Sequence, residues 1–132
     1  MKVSASIKNS FGKNEISVAT NSDIKTLTIA PKESGYGSSV NGAELLLLSL
    51  ATCYCNDIYR EATKRGIQVD EVTVDCSSEF GAEGETGKNF YYKPLIKADA
   101  TPEQIEELIK FTDGIAEIHK TIRMGLEIYL QS

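Results

Sequence analysis

The chain contains few of the residues that usually build metal sites. It has one histidine and three cysteines, and none of Cys53, Cys55 and Cys76 belongs to a paired Cys-x-x-Cys zinc pattern. The single histidine, His119, lies far from them in the sequence. We therefore expect no metal and no other cofactor. An odd number of cysteines also suits a reducing compartment, where thiols are free or transiently oxidised, so we expect a cytoplasmic protein.

Basic clusters and long apolar runs are also missing. The formal net charge is −5, and no cluster of Lys and Arg forms the basic face typical of nucleic-acid binding. The longest apolar stretch, residues 45–51 with one serine, is too short to cross a bilayer. The N-terminus lacks the basic, apolar and cleavage-site order of a signal peptide. We expect neither a nucleic-acid partner nor a membrane partner.

The overall composition is that of an ordinary globular protein. With 132 residues, 41% of them hydrophobic and 25% charged, the chain is long enough for a core of its own. We expect one domain over residues 1–132. Period-2 alternation of apolar and polar residues predicts half-buried strands. These strands are expected at 2–9, 15–19, 24–29, 69–77, 90–98 and 123–130.

Helical signals appear in three places. Nothing breaks a helix from Ala43 to about Arg65, and Asn41 with Glu44 resembles a capping box at its start. Its first half is apolar nearly all round, which predicts burial by a sheet or a second subunit, and its charged second half is expected to enter solvent. Further helices are expected from Thr101 and over 115–122. The order βββ-α-ββ-α-α-β predicts an α+β fold.

Cys53 ends the apolar run of the long helix and is the candidate nucleophile. A shielded thiol can be tuned by a helix or a nearby cation, and only the thiolate is a strong nucleophile. The alternative is a small residue of the core. A disulfide between Cys53 and Cys55 is not expected, because residues two apart in a helix point about 200° apart. Cys55 is expected to pack in the core or to meet its mate across a dimer axis.

Four segments occur in a distinctive order. Glu-Leu-Leu-Leu-x-Ser-Leu-x-x-Cys at 44–53 follows a Gly-rich loop, and Lys-x-Gly-Ile-x-Val-x-x-Val-x-Val follows at 64–74. Thr-Pro-Glu-x-Ile begins at Thr101, and Ile-His-Lys-Thr-Ile-x-x-Gly-Leu-Glu-Ile begins at Ile118. Together they cover essentially the whole chain, which resembles the OsmC/Ohr-like superfamily of small thiol proteins.

The resemblance implies a fold and an activity. The fold is an OsmC-like antiparallel sheet around a long central helix, in an intertwined homodimer. The activity is the reduction of organic hydroperoxides in the oxidative-stress response. In that superfamily a first cysteine attacks the peroxide and becomes a sulfenic acid, which a second cysteine resolves. Cys53 matches the first cysteine, and Glu44 is the candidate for the glutamate that helps to hold the thiolate.

The chain departs from the superfamily at three positions. The superfamily's glutamate falls near Ala43, one residue before Glu44, which is the candidate to replace it. The resolving cysteine is replaced by Ala116, and no arginine precedes Arg60. We therefore expect Cys53-dependent reduction of hydroperoxides to be resolved by an external thiol reductant, with Cys76 as the best internal candidate for a resolver. His119 is expected at the surface or rim near a helix end, although the resemblance also allows it to neighbour the thiol. The alternative function is a non-catalytic dimer that binds a small apolar ligand in the interface cavity.

Overall fold

The computed structural model describes residues 1–131, which form two compact units, residues 1–45 and residues from 46 onward. The α+β class and the order βββ-α-ββ-α-α are confirmed. The single domain expected over residues 1–132 stays a prediction. In chain order the elements are β1 (Val3–Ser10), β2 (Lys13–Thr20), β3 (Asp23–Leu27), α1 (Gly42–Lys64), β4 (Gln68–Glu79), β5 (Lys88–Asp99), α2 (Pro102–Ile115) and α3 (Glu117–Arg123).

The first unit is an antiparallel meander in the order β1-β2-β3. Ile7 pairs with Ile16, and Ile16 pairs with Leu27, so apolar side chains share one face as the alternation predicts. Val3, Ile7 and Leu27 are nevertheless exposed, so the expected half-burial is wrong for β1 and β3, whereas most of β2 is half-buried as expected. Alternation indicates a face suited to burial, but residues 1–131 do not supply its cover.

The second unit packs three helical segments with the β4-β5 hairpin. The two strands are antiparallel, with Cys76 opposite Tyr92 and bulges near both ends of the ladder. Side chains of α1, the hairpin, α2 and the residue before α3 meet in one core. Its buried members are Tyr54, Ile58, Ala62, Val69, Ile96, Leu108 and Ala116.

Local signals fix both ends of α1. The backbone N–H of Asn41 donates to the Glu44 carboxylate at 2.9 Å, and the Glu44 N–H donates to the Asn41 side chain at 2.8 Å. The expected capping box is therefore present, and it satisfies two N–H groups at the helix start. After Lys64 the chain turns through Gly66, whose φ of +67° lies in the left-handed region that glycine tolerates.

The burial of α1 reverses the expectation in part. Leu48 in the apolar half is 59% exposed, whereas Asp57 and Glu61 in the charged half are only 5% and 3% exposed. Ion pairs explain why Glu61 is buried although it is charged, because Arg60, Lys64 and Arg65 all reach its carboxylate. A buried carboxylate is tolerated when it is paired in this way.

The C-terminal part differs from the expectation at two points. Thr101 caps α2 through a box with Gln104, but Gly114 does not interrupt the helix, and the break falls at Ala116, whose backbone is extended. The strand expected over 123–130 is not formed. Arg123 ends α3, and residues 125–131 pair with no strand among the described residues. An alternating pattern alone cannot supply the neighbour that a strand requires.

None of the helices within residues 1–131 combines the length and the apolar character that a bilayer span requires.

The core position of Leu108 makes a stability prediction. Leu108 is fully buried, so Leu108→Ala removes apolar contacts and leaves a cavity. We expect the free energy of unfolding to fall by about 2–5 kcal/mol in urea titrations followed by circular dichroism. The matched control is Leu95→Ala, since Leu95 is exposed and its loss is expected to cost less than about 1 kcal/mol. Equal losses in the two variants would contradict this position of the core.

Candidate functional site

Cys53 lies in the middle of α1, half-buried, and packs against the core of the second unit. Its Sγ donates a weak hydrogen bond to Oδ2 of Asp57 at 3.6 Å. The two residues are four apart on one helix, which places them on the same face. The thiol therefore has a carboxylate beside it that can accept its proton.

Asp57 is in turn held by a cation. Its Oδ1 lies 3.1 Å from Nη1 of Arg60, and the same Nη1 lies 3.5 Å from Oε1 of Glu117 at the start of α3. Arg60 is three residues after Asp57, so both come from one face of α1. The arrangement is a chain of thiol, carboxylate, guanidinium and carboxylate that joins α1 to α3.

The start of α3 contacts the thiol directly. The backbone N–H of Ile118 hydrogen-bonds Cys53. The preceding residue, Ala116, is fully buried, and its extended backbone turns the chain from α2 into α3. Position 116, where the resemblance predicts a resolving cysteine, therefore lies just before Glu117 and Ile118, the two residues near Cys53.

The surroundings raise the pKa of the Cys53 thiol above its ordinary value. Burial is the largest cause, and the charges of Asp57 and Glu117 act in the same direction. The hydrogen bond from the Ile118 N–H lowers the pKa and offsets part of the effect. The thiol is consequently protonated at neutral pH, and a route for its proton becomes part of any chemistry at this sulfur.

The two carboxyls differ in acidity. Burial raises the pKa of Asp57, against the lowering effect of Arg60, and the nearby Glu117 raises it further. The pKa of Glu117 is lowered, chiefly by a hydrogen bond from its own backbone and also by Asp57 and Arg60. Asp57 is therefore a better proton acceptor than an ordinary aspartate, while Glu117 stays ionised beside Arg60.

The same atoms form a potential ligand set for a cation. One ligand atom each from Cys53, Asp57 and Glu117 lies within 4.8 Å of the other two. Arg60 already contacts both carboxylates, so a metal ion would have to displace its guanidinium. The contacts present are those of an ion-pair network around a thiol.

The other candidate residues lie apart from this network or serve the fold. The Glu44 carboxylate caps α1, and its part in holding a thiolate stays a prediction. Cys55 lines a separate surface cleft of about 250 Å³ beside Val72 and Val74. Cys76 is half-buried on β4, and burial raises the pKa of its thiol. All three cysteines are free.

His119 is not at the surface or rim, and that expectation is wrong. It is 4% exposed, and its ring centroid lies 4.6 Å from that of Tyr92 and 5.7 Å from that of Tyr54. Neither ring nitrogen has a hydrogen-bond partner within residues 1–131, so no hydrogen bond joins it to Cys53. Burial lowers the pKa of the imidazole, which favours its neutral form. The sequence around His119 does not indicate this contact with Tyr54 and Tyr92, because both tyrosines come from other elements of the fold.

Sequence reasoning missed the charged partners of Cys53. Asp57 and Arg60 carry a signal, since the spacings from Cys53 to Asp57 and from Asp57 to Arg60 place neighbours on one helix face. This spacing was not used to predict a contact, because charged residues on a helix are generally expected to enter solvent. Glu117 has no local signal beyond its position next to Ala116, because its contact with Arg60 depends on how α3 packs.

The Asp57 charge makes a prediction for the acidity of Cys53. Asp57→Asn removes that charge, so we expect the Cys53 pKa to fall and alkylation by iodoacetamide at pH 7 to become severalfold faster. The measurement is the pH dependence of alkylation by mass spectrometry in a Cys55→Ser/Cys76→Ser background. Asp75→Asn, which removes a charge beside Cys76 instead, is the matched control. Slower alkylation of Cys53 in Asp57→Asn contradicts the electrostatic assignment.

Comparisons with solved structures agree with this fold. An OsmC-like protein from Mycoplasma pneumoniae has a TM-score of 0.64 at 16% identity, covering 95% of this chain and 87% of that chain. The organic hydroperoxide resistance protein OhrB of Bacillus subtilis has a TM-score of 0.58 at 14% identity, with coverages of 96% and 94%. At identities this low, the similarity shows a shared fold and nothing more.

A third similar structure carries a ligand. It is a putative organic hydroperoxide resistance protein from Vibrio cholerae with captopril bound in one active site, with a TM-score of 0.56 at 20% identity and coverages of 96% and 88%. Among curated proteins, none matches this chain in sequence. The family profile described as OsmC-like protein matches residues 35–131, which include Cys53 and the whole of the second unit up to its last described residue. On that match, the chain belongs to the OsmC-like protein family.

Proposed function

We propose that this protein reduces organic hydroperoxides at Cys53 and that an external thiol completes the cycle. The observation that carries the proposal is the hydrogen bond from the Cys53 Sγ to Asp57, whose carboxylate is paired with Arg60. Support also comes from similar folds, whose names include organic hydroperoxide resistance proteins of Bacillus subtilis and Legionella pneumophila. A thiol with a base beside it can act as a nucleophile without being a thiolate at rest.

In the first step the sulfur attacks the terminal oxygen of the hydroperoxide. An S–O bond forms, the O–O bond breaks, and the departing alkoxide takes up a proton to leave as an alcohol. Asp57 accepts the thiol proton as the sulfur attacks, because its oxygen already receives the S–H hydrogen bond. The sulfur is oxidised to a sulfenic acid, and the peroxide is reduced by two electrons.

The second step uses a thiol from outside the chain. It attacks the sulfenic acid, forms a mixed disulfide with Cys53 and releases water, and a second thiol then regenerates Cys53 as an external disulfide leaves. Ala116 has no sulfur, so the route through a cysteine at that position is closed. Cys76, on β4 opposite Tyr92, stays a low-priority candidate for an internal resolver.

We further propose that the active form is a homodimer. Leu48 on α1 is 59% exposed, and Val3 and Ile7 on the sheet are exposed as well. Leu126, Ile128 and Leu130 follow α3 and are exposed too. Large exposed apolar surfaces of this kind mark association sites in soluble proteins.

Sedimentation velocity tests the dimer. A dimer is expected at micromolar concentration, because an interface that covers these faces would exceed about 2,000 Å² in total. Leu48→Glu is expected to weaken the dimer, and Glu106→Lys, on the exposed surface of α2, serves as the control. A folded monomer of the wild-type protein at that concentration contradicts the proposal.

The alternative function, non-catalytic binding of a small apolar ligand, is favoured by one property of the thiol. The pKa of Cys53 is raised, which makes the thiol a weaker nucleophile at neutral pH than a thiolate would be. A protein of this kind would be unchanged by hydroperoxide.

Peroxide treatment decides between the two functions. One equivalent of cumene hydroperoxide is expected to convert Cys53 to a sulfenic acid, trapped by dimedone and found by mass spectrometry. Turnover is expected to require an added dithiol and to vanish in Cys53→Ser, while Cys55→Ser and Cys76→Ser retain it. Oxidation of Cys55 or Cys76 before Cys53 refutes the assignment, and no oxidation at any cysteine favours the alternative.

Asp57→Asn separates two roles of this carboxylate. If Asp57 accepts the proton, hydroperoxide turnover falls roughly 100-fold, although the lower pKa gives more thiolate. If Asp57 only raises the pKa of Cys53, turnover rises together with the rate of alkylation. The second result contradicts the role of Asp57 as the base and leaves the role of Cys53 standing.

A further inference from the structure

The backbone N–H of Ile118 faces the sulfur of Cys53 and has no part in the two steps described above. It hydrogen-bonds the sulfur from the first turn of α3. A second contact brings the same turn to Cys53, because a carboxylate oxygen of Glu117 lies within 4.8 Å of the Cys53 Sγ. Two consecutive residues of α3 thus place a backbone nitrogen beside the atom that a hydroperoxide would oxidise.

The Ile118 N–H is not needed by the helix that contains it. The first N–H groups of a helix have no acceptor within that helix. Ile118 is the second residue of α3, where the N–H of Lys120 is bonded to the carbonyl of Ala116. Alanine at position 116 has no side-chain oxygen with which to cap α3. A covalent bond from sulfur to the Ile118 nitrogen would therefore break no hydrogen bond of the helix.

Packing holds the start of α3 against the thiol. Ala116 is fully buried in the core cluster against which Cys53 packs. On the other side of the sulfur, Nη1 of Arg60 on α1 lies 3.5 Å from Oε1 of Glu117. The nitrogen is therefore already positioned in the reduced protein, and a reaction between two groups held in this way gains a large effective concentration.

The chain offers few sulfur atoms that could compete with this nitrogen. The resemblance predicts a resolving cysteine where this chain has Ala116. Cys55 is two residues from Cys53 on the same helix, and such residues point about 200° apart. Cys76, on β4, remains as the one internal thiol to be tested. A sulfenic acid that meets no thiol can condense with a backbone nitrogen to a sulfenamide.

We propose that oxidised Cys53 condenses with the backbone nitrogen of Ile118, so that a covalent S–N bond links α1 to α3. The proposal rests on the proposed function, which supplies the sulfenic acid. The S–OH bond breaks, the S–N bond forms, and the hydroxyl leaves with the N–H proton as water. No further oxidant is consumed, since the organic hydroperoxide has already taken two electrons from the sulfur. The carboxylates of Asp57 and Glu117 can carry the proton, because both lie within 4.8 Å of the sulfur.

The link protects the oxidised sulfur until a reductant arrives. A sulfenic acid that meets a second hydroperoxide becomes a sulfinic acid, which thiols do not reduce. An external thiol can still open the sulfenamide: its sulfur bonds to the Cys53 sulfur, the S–N bond breaks, and the nitrogen regains a proton. The product is the same mixed disulfide as in the second step of the proposed cycle. The Ile118 nitrogen thus takes the place of the sulfur that Ala116 lacks.

Intact-mass spectrometry of the Cys55→Ser/Cys76→Ser protein tests the link, because an internal disulfide is then impossible. One equivalent of cumene hydroperoxide, without dimedone, is expected to lower the mass by two hydrogen atoms, and dithiothreitol is expected to restore it. A stable, dimedone-reactive gain of one oxygen atom, or a covalent dimer, overturns this proposal and leaves peroxide reduction by Cys53 standing. A thiol that hydroperoxide does not change overturns both.

Peptide mapping locates the bond. Trypsin leaves Cys53 in residues 33–60 and Ile118 in residues 111–120. These two peptides are expected as one cross-linked species, in the double variant and in the wild type, with the bond at the Ile118 nitrogen in the fragment spectra. A bond to any other residue, or a disulfide between Cys53 and Cys76 in the wild type, overturns the proposal.

Two substitutions at position 118, made in the same double variant, test the protective role. Ile118→Pro removes the N–H, and proline is tolerated in the first turn of a helix. It is expected to form the sulfenic acid without losing two hydrogen atoms, and excess hydroperoxide is expected to give severalfold more sulfinic acid than in Ile118→Val, which keeps the N–H. Equal sulfinic acid in the two variants overturns the protective role. Should Ile118→Pro not fold, peptide mapping of the wild type decides alone.

Discussion

The contact of Arg60 with Asp57 and Glu117 is the interaction on which the arrangement around Cys53 depends. Asp57 is 95% buried, and a buried carboxylate requires a paired cation. Arg60 fulfils that need from the same face of α1, and its second contact, with Glu117, ties the start of α3 to α1. The Ile118 N–H lies beside Cys53, while buried Ala116 and His119, the latter against Tyr54 and Tyr92, pack α3 onto the second unit. One guanidinium thus links the carboxylate beside the thiol to the start of α3.

That arrangement sets a conflict between acidity and reactivity at the sulfur. A reactive thiol usually has a depressed pKa, whereas burial, Asp57 and Glu117 raise the pKa of Cys53. The conflict is resolved if the proton moves as the bond to oxygen forms. Asp57 is suited to that transfer, since it already accepts the S–H hydrogen bond and burial raises its own pKa. Arg60 limits that rise in the Asp57 pKa, because its positive charge favours the ionised carboxylate that can accept a proton.

Features encoded by short-range chemistry could be predicted from the sequence, and those encoded by packing could not. Asn41 with Glu44 and Thr101 with Pro102 are local signals, and the helices begin where those residues predict. The burial of Asp57 and His119 depends on contacts with residues from other elements, for which helix spacing gives no measure. Leu48 and the strand expected at 123–130 show the converse error, in which apolar residues predicted to be buried or paired are not. Their apolar patterns describe surfaces suited to burial, but residues 1–131 neither cover Leu48 nor provide a strand that pairs with residues 125–131.

The resemblance predicts a resolving cysteine where this chain has Ala116, and the charges near that position affect which external reductant could take its place. Ala116 directly precedes Glu117 and Ile118, so an oxidised Cys53 would face the Ile118 N–H and the carboxylates of Asp57 and Glu117. On the proposed chemistry, those carboxylates disfavour the approach of an anionic reductant, since like charges repel. Arg60 offsets only one of the two negative charges. Under the proposed function, a neutral dithiol is therefore expected to be a better partner for this site than a reductant that carries net negative charge, and the acidic network would then select the reductant as well as tune the nucleophile.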